Sequence, residues 1–110
     1  MKSITAVNRL AALAQESRLA VFRLLVQKGP EGLCVSDIQS ALKVPSATLS
    51  FHLKELVNAG LLKSRQEGRF IYYAPDFKAM NDLLGYLTEN CCAGEPCDVE
   101  CAPKTARLEK

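Results

Sequence analysis

Apolar residues return at helical spacing from the start of the chain. Ile4, Val7, Leu10, Ala11 and Ala14 predict a helix over about residues 3–14. Ser17 is a candidate cap for a second helix. Leu19, Val21, Phe22, Leu24, Leu25 and Val26 fill much of its circumference, so it is expected at the centre of the fold. The cluster "KGPEG" at 28–32 breaks the pattern. Ser36 is then a candidate cap for a short helix over 37–43 that turns Ile38, Ala41 and Leu42 inward. Pro45 restricts the residue before it and ends that helix. Ser46 is the next candidate cap, for a helix that runs to about Ala59 and stops at Gly60.

In this fourth helix Leu49, Leu53, Leu56 and Val57 form one stripe. At 100° per residue, Phe51 stands almost opposite them, among Ala47, Thr48, Lys54, Glu55 and Asn58. A large aromatic at the centre of a solvent face needs a reason. The period then changes. Leu62 and the run Phe70, Ile71, Tyr72, Tyr73 are strand formers flanking "QEGR", with Gly68 in the turn, which predicts a hairpin. Pro75 and Asp76 open a last helix with Phe77, Met80, Leu83, Leu84 and Leu87 as its apolar stripe, ending near Asn90. The expected fold is mainly α with a β-hairpin wing: four helices, a hairpin and a fifth helix.

Two short helices joined by a tight turn, followed by a hairpin with a basic tip, form a winged helix-turn-helix. The second helix of such a pair lies in the DNA major groove with its N-terminal half near base edges. Here Ser46, Thr48, Ser50 and His52 offer hydroxyl and imidazole partners, and Phe51 can pack on a thymine methyl. Lys43 and Lys54 suit phosphates. Arg65 and Arg69 would lay the wing along the backbone or in the minor groove. Each of these residues also has an ordinary role. Ser46 caps a helix in any protein, His52 sits at the edge of the apolar stripe, and hairpin arginines are commonly solvated. Their order along the chain is what favours DNA.

Composition adds less. The chain has 110 residues, 48% of them apolar, enough for one domain with its own core. Its net charge of +2 says little, but the distribution says more. Residues 43–78 carry more bases than acids, whereas Glu89, Glu95, Asp98 and Glu100 accompany the cysteines near the end without a base between them. No apolar run approaches the ~18 residues of a membrane span, and no secretory leader is evident. A cytoplasmic location is expected, where thiols stay reduced. The expected organisation is a DNA-binding and dimerisation domain over 1–90 and a mobile, cysteine-rich, inducer-binding tail over 91–110.

The stretches "LAALAQESRLAVFRLLV" and "LCVSDIQSALKVPSATLSFHLKELVNAGLLKSRQEGRFIYYAP", with the closing helix, resemble the ArsR/SmtB family of metal- and metalloid-responsive repressors over about residues 7–90. The run 46–62 and the basic wing with "EGR" are the most specific parts. The resemblance implies a homodimer built from the first and last helices, and double-stranded operator DNA held until an inducer binds. One inducer site of the family, Cys-x-Cys-x-x-Cys before the recognition helix, is lost here. Only Cys34 remains of it, with Ser36 and Gln39 in the other two positions. Cys34 is then expected as a small buried hydrophobe. A second family site uses histidines and carboxylates of the last helix. It is also absent, because His52 is the only histidine of the chain.

What remains is "NCCAGEPCDVEC", which places four of the five cysteines in twelve positions. An odd cysteine total in a reducing setting argues against a disulfide framework. Relatives with a Cys-Cys pair here respond to trivalent arsenic, so the resemblance points to As(III) or Sb(III) held by Cys91, Cys92 and Cys97, with Cys101 next. Soft centres prefer thiolates, and the acidic neighbours mean that binding must expel protons. A soft divalent metal such as cadmium or lead, a structural zinc on four thiolates and thiol oxidation remain the alternatives. A thiol enzyme is disfavoured, because these cysteines follow a helix C-terminus, the wrong end of the dipole for a reactive thiolate.

Overall fold

The computed structural model describes residues 1–94. Five α-helices occur in chain order: α1 (Ser3–Leu13), α2 (Glu16–Lys28), α3 (Val35–Leu42), α4 (Ser46–Asn58) and α5 (Phe77–Leu87). The hairpin is formed by β2 (Leu62–Glu67) and β3 (Phe70–Pro75). It is joined by a two-residue strand that sequence reading did not foresee, β1 (Leu33–Cys34), which pairs antiparallel with β3 through Leu33–Tyr73 and Cys34–Tyr72. The sheet order is β1-β3-β2. Glu67 and Phe70 close the wing as a register pair, with Gly68 at φ +64° in the turn between them, a conformation that suits glycine.

The core lies where α2 crosses α4. Val21, Phe22 and Leu25 meet Leu49, Leu53 and Leu56, with Ile38 of α3 and Leu61 and Leu62 after α4 closing the sides. Helix α2 is less central than its composition suggested. Leu19 is exposed, and Leu24 and Val26 are half-buried. Leu19 and Val26 border an apolar groove that Leu13, Met80, Leu83 and Leu84 continue toward α5.

Three caps differ from expectation. Gln15, not Ser17, caps α2, its Oε1 accepting from the Arg18 N–H at 2.9 Å. Helix α3 begins at Val35 without a side-chain cap, and Ser36 Oγ lies 3.3 Å from Cys34 Sγ instead. Pro45 occupies the cap position of α4, which makes Ser46 its first helical residue. The last helix starts as expected, with Asp76 Oδ1 accepting from the Ala79 N–H at 3.0 Å.

The outer sides of α1 and α5 are open. Ile4 (63% exposed), Val7 and Leu10 on α1, with Leu84 and Leu87 on α5, present large apolar side chains to solvent. No helix among the described residues is long and apolar enough to cross a membrane.

Leu53 is 1% exposed at the α2–α4 crossing. Leu53→Ala is expected to cost about 2–5 kcal/mol of stability, read as a lower urea midpoint with an unchanged slope.

Candidate nucleic-acid interface and thiol pair

Burial of the inner side of α4 decides what its outer side presents. With Leu49, Leu53 and Leu56 turned to the core, Ser46, Thr48, Ser50, Phe51 and Lys54 are all exposed on one helix, and Lys43 is exposed just before it. Lys43 takes the left-handed conformation at the end of α3 (φ 57°, ψ 41°), making the tight turn between the two helices. Phe51 is 55% exposed, as its position opposite the stripe required.

His52 is the correction within this set. Expected beside the base-reading groups, it is 5% exposed and belongs to the buried side of α4. Its Nδ1 lies 3.5 Å from Arg18 Nη1. A guanidinium only donates, so this contact requires Nδ1 to be the unprotonated nitrogen. The pKa of His52 is lowered, first by burial and then by the Arg18 charge. A neutral imidazole here holds α2 to α4 and does not face solvent.

Arg18 was not anticipated. Its Nε donates to Ala12 O at 2.8 Å, at the end of α1, and its guanidinium stands 5.9 Å from the Phe51 ring centroid. One cation therefore joins the end of α1 to the two aromatic residues of α4.

The wing arginines have different surroundings. Arg65 is drawn down along β2. It pairs with Glu67 at 2.6 Å, donates to Glu31 O at 2.8 Å and stacks 4.8 Å over Tyr72. Arg69 is exposed in the turn itself. Cys34 is buried, as expected, but in polar company, its thiol donating to Asp37 Oδ2 at 3.3 Å.

Beyond Leu87 the helix ends, and the chain passes through Asn90, Cys92 and Ala93, all at positive φ. Cys91 is half-buried and Cys92 exposed, with their Sγ atoms 3.6 Å apart. Cys97 and Cys101 lie outside the described residues. Among the described residues no three potential ligands of the His, Cys, Asp or Glu type gather at one point.

A helix-turn-helix domain model matches residues 13–65. The arsenical resistance operon repressor of Bacillus subtilis is 34% identical over 85 residues, covering 77% of this chain and 77% of that protein. The chain belongs to the ArsR/SmtB family. A cadmium resistance regulatory protein CadC homolog of Staphylococcus aureus is 34% identical over 73 residues, 66% of this chain and 59% of that protein. Among solved structures, HlyU of Vibrio cholerae is 34% identical with a TM-score of 0.63, covering 77% of this chain and 92% of that one. An ArsR-like regulator of Rhodococcus, at 24% identity and a TM-score of 0.67 over 83% of this chain and 82% of that one, shows the fold alone. As a member of the ArsR/SmtB family the chain is a DNA-binding transcriptional regulator, not an enzyme.

The burial of His52 has a pH consequence. Its pKa in the fold is below 6.5, so between that lowered value and 6.5 the unfolded chain binds the proton first. Stability is therefore full above about pH 6.5 and declines as pH falls toward the folded pKa. His52→Gln is expected to flatten the fall in Tm between about pH 7 and pH 5. An equal fall in both proteins would show that His52 is not the group responsible.

Proposed function

We propose that the chain is a homodimeric repressor that holds operator DNA through α4 and the wing and releases it when its C-terminal thiolates capture trivalent arsenic or antimony. The observation that carries this reading is the Cys91–Cys92 pair, with sulfurs 3.6 Å apart, directly after the helix that bears the exposed Leu84 and Leu87. The inducer site then adjoins the surface through which two subunits would meet.

The dimer reading is supported by the open apolar stripe of Ile4, Val7 and Leu10 beside that of α5, since contiguous exposed apolar surface marks interaction sites. Two-fold symmetry would set the reading helices about 34–36 Å apart, one turn of DNA. In this reading residues 1–90 bind DNA and dimerise, and residues 91–110 bind the inducer, with Cys97 or Cys101 as the third ligand. Ser46, Thr48, Ser50 and Phe51 face base edges, while Lys43, Lys54, Arg65 and Arg69 face phosphates. Such a protein works in the cytoplasm, where the thiols stay reduced. The similarity to an arsenical resistance operon repressor favours arsenic. The similarity to a CadC homolog, named for cadmium resistance, keeps a soft divalent ion as the second reading. Structural zinc is the weaker choice, because adjacent cysteines close a tetrahedron awkwardly.

An operator gel shift with and without arsenite tests the proposal. Wild type should leave the operator, and Cys92→Ser should hold it at the same arsenite concentration. A Cys92→Ser protein that still lets go places the site elsewhere, and a wild type that is monomeric in sedimentation removes the dimer. Independently, Arg69→Ala should weaken binding to every sequence and lower the slope of log K against log salt by about 1.

A further inference from the structure

The end of α4 is built in a way that leaves one backbone oxygen available to another helix. Gly60 sits at φ +82°, its N–H donates to Val57 O at 2.9 Å, and the Leu61 N–H reaches back to Leu56 O at 3.0 Å. This paired closure satisfies the carbonyls of Leu56 and Val57 and ends the helix. The carbonyl of Ala59 takes no part in it. Arg9, from α1, fills that place. Its Nε donates to Ala59 O at 3.3 Å, and its Nη1 donates to Ala79 O of α5 at 3.2 Å.

Three features make this more than a surface contact. A cation at the C-terminus of α4 complements the partial negative charge of the helix end. A guanidinium is a planar fork of fixed donors, so two carbonyls bound to it are held in a fixed relation, which a single flexible ammonium cannot do. Glycine serves at position 60 for its φ, and Arg9 lies against it, its Nη2 at ordinary contact distance (3.4 Å) from where a Cβ would stand. Close by, the Asp76 N–H donates to Leu61 O at 2.8 Å, joining the same two helix ends through the backbone.

We infer that Arg9 is a positioning residue through which movement of α1 and α5 reaches α4. The two helices with the open apolar stripes and the helix with the exposed Phe51 face meet at this one guanidinium. An inducer that shifts α5 must therefore shift the α4 end or break the Arg9 contacts. This inference rests on the proposed release by thiol-bound inducer. A purely structural role is different: it would lower stability and leave the effect of inducer on DNA affinity unchanged.

The test uses the full chain and measures operator Kd with and without arsenite for wild type, Arg9→Met and Arg9→Lys. Arsenic occupancy is followed separately by thiolate–arsenic absorbance, and stability by urea unfolding. Wild type should show a ratio of Kd values within ~5- to 150-fold, the usual span of allosteric coupling. Arg9→Met should still bind arsenic and show a ratio well below that of wild type, the Asp76–Leu61 bond carrying what remains. Arg9→Lys, able to reach one carbonyl at a time, should fall between. An Arg9→Met protein that binds arsenic and keeps the wild-type ratio overturns the inference and leaves the proposed function standing. A wild-type ratio of one overturns the proposed function, and the inference with it. Should Arg9→Met fail to fold, the comparison passes to Arg9→Lys, where a ratio equal to that of wild type overturns the inference.

Discussion

The burial of the inner stripe of α4 against α2 is the constraint from which the rest follows. Leu49, Leu53 and Leu56 are essentially without solvent, packed with Val21, Phe22 and Leu25. At ~25 cal/mol per Å² of apolar surface, removing these side chains from water fixes the rotation of α4 about its axis far more firmly than any polar contact at its rim. Once the rotation is fixed, Thr48, Phe51 and Lys54 have only the outside left to them. Phe51 stays exposed because nothing among the described residues covers it.

Two arginines then set where α4 sits along and against its neighbours. Arg18 acts at its middle, bonding the end of α1 and standing beside Phe51 and His52. Arg9 acts at its C-terminus, bonding Ala59 and Ala79. Both reach backbone carbonyls from partly buried positions, where a charge-assisted hydrogen bond is stronger than in water. The neutral state of His52 belongs to the same arrangement. A second proton would set an imidazolium against the Arg18 guanidinium in a desolvated site, which is why burial and that charge push its pKa in one direction.

Much of the fold was legible because periodicity carries it. Five helices and the hairpin are written in apolar spacing and in breakers such as Gly60, Pro45 and Gly68. The caps were misplaced by one or two residues, because serine is a good cap wherever the backbone allows it and the backbone is what sequence leaves open. Strand β1 has two residues, too short for any period, and exists because β3 offers an edge. His52 was misjudged for a clearer reason. Positions 49, 52, 53 and 56 form an i, i+3, i+4, i+7 stripe, but counting histidine as polar moved the stripe toward Val57. Arg9 and Arg18 left no trace at all. The Arg9 partners are carbonyls 50 and 70 positions away, and a carbonyl carries no residue identity to read.

In the proposed repressor, the placement of the thiol pair bears on how a ligand held there would matter to α4. A ligand shifts an equilibrium only by its different affinity for two states, so the tail must be mechanically joined to something DNA also selects. Helix α5 supplies that join. Its first turns adjoin the end of α4 through Ala79 and Asp76, and its last turn leads into Cys91 and Cys92. Its 11 residues, at ~1.5 Å each, make a rod of ~16 Å. A regular helix keeps its hydrogen-bonded length, so displacement of one end appears at the other as translation or tilt and is not absorbed between them. The apolar stripe on the same rod would meet a second subunit, so tilting it also changes how two α4 helices are spaced. In the proposed repressor, inducer capture, subunit contact and groove spacing are thus three loads on one short helix, and the α4 junction is where the DNA-facing load is transferred.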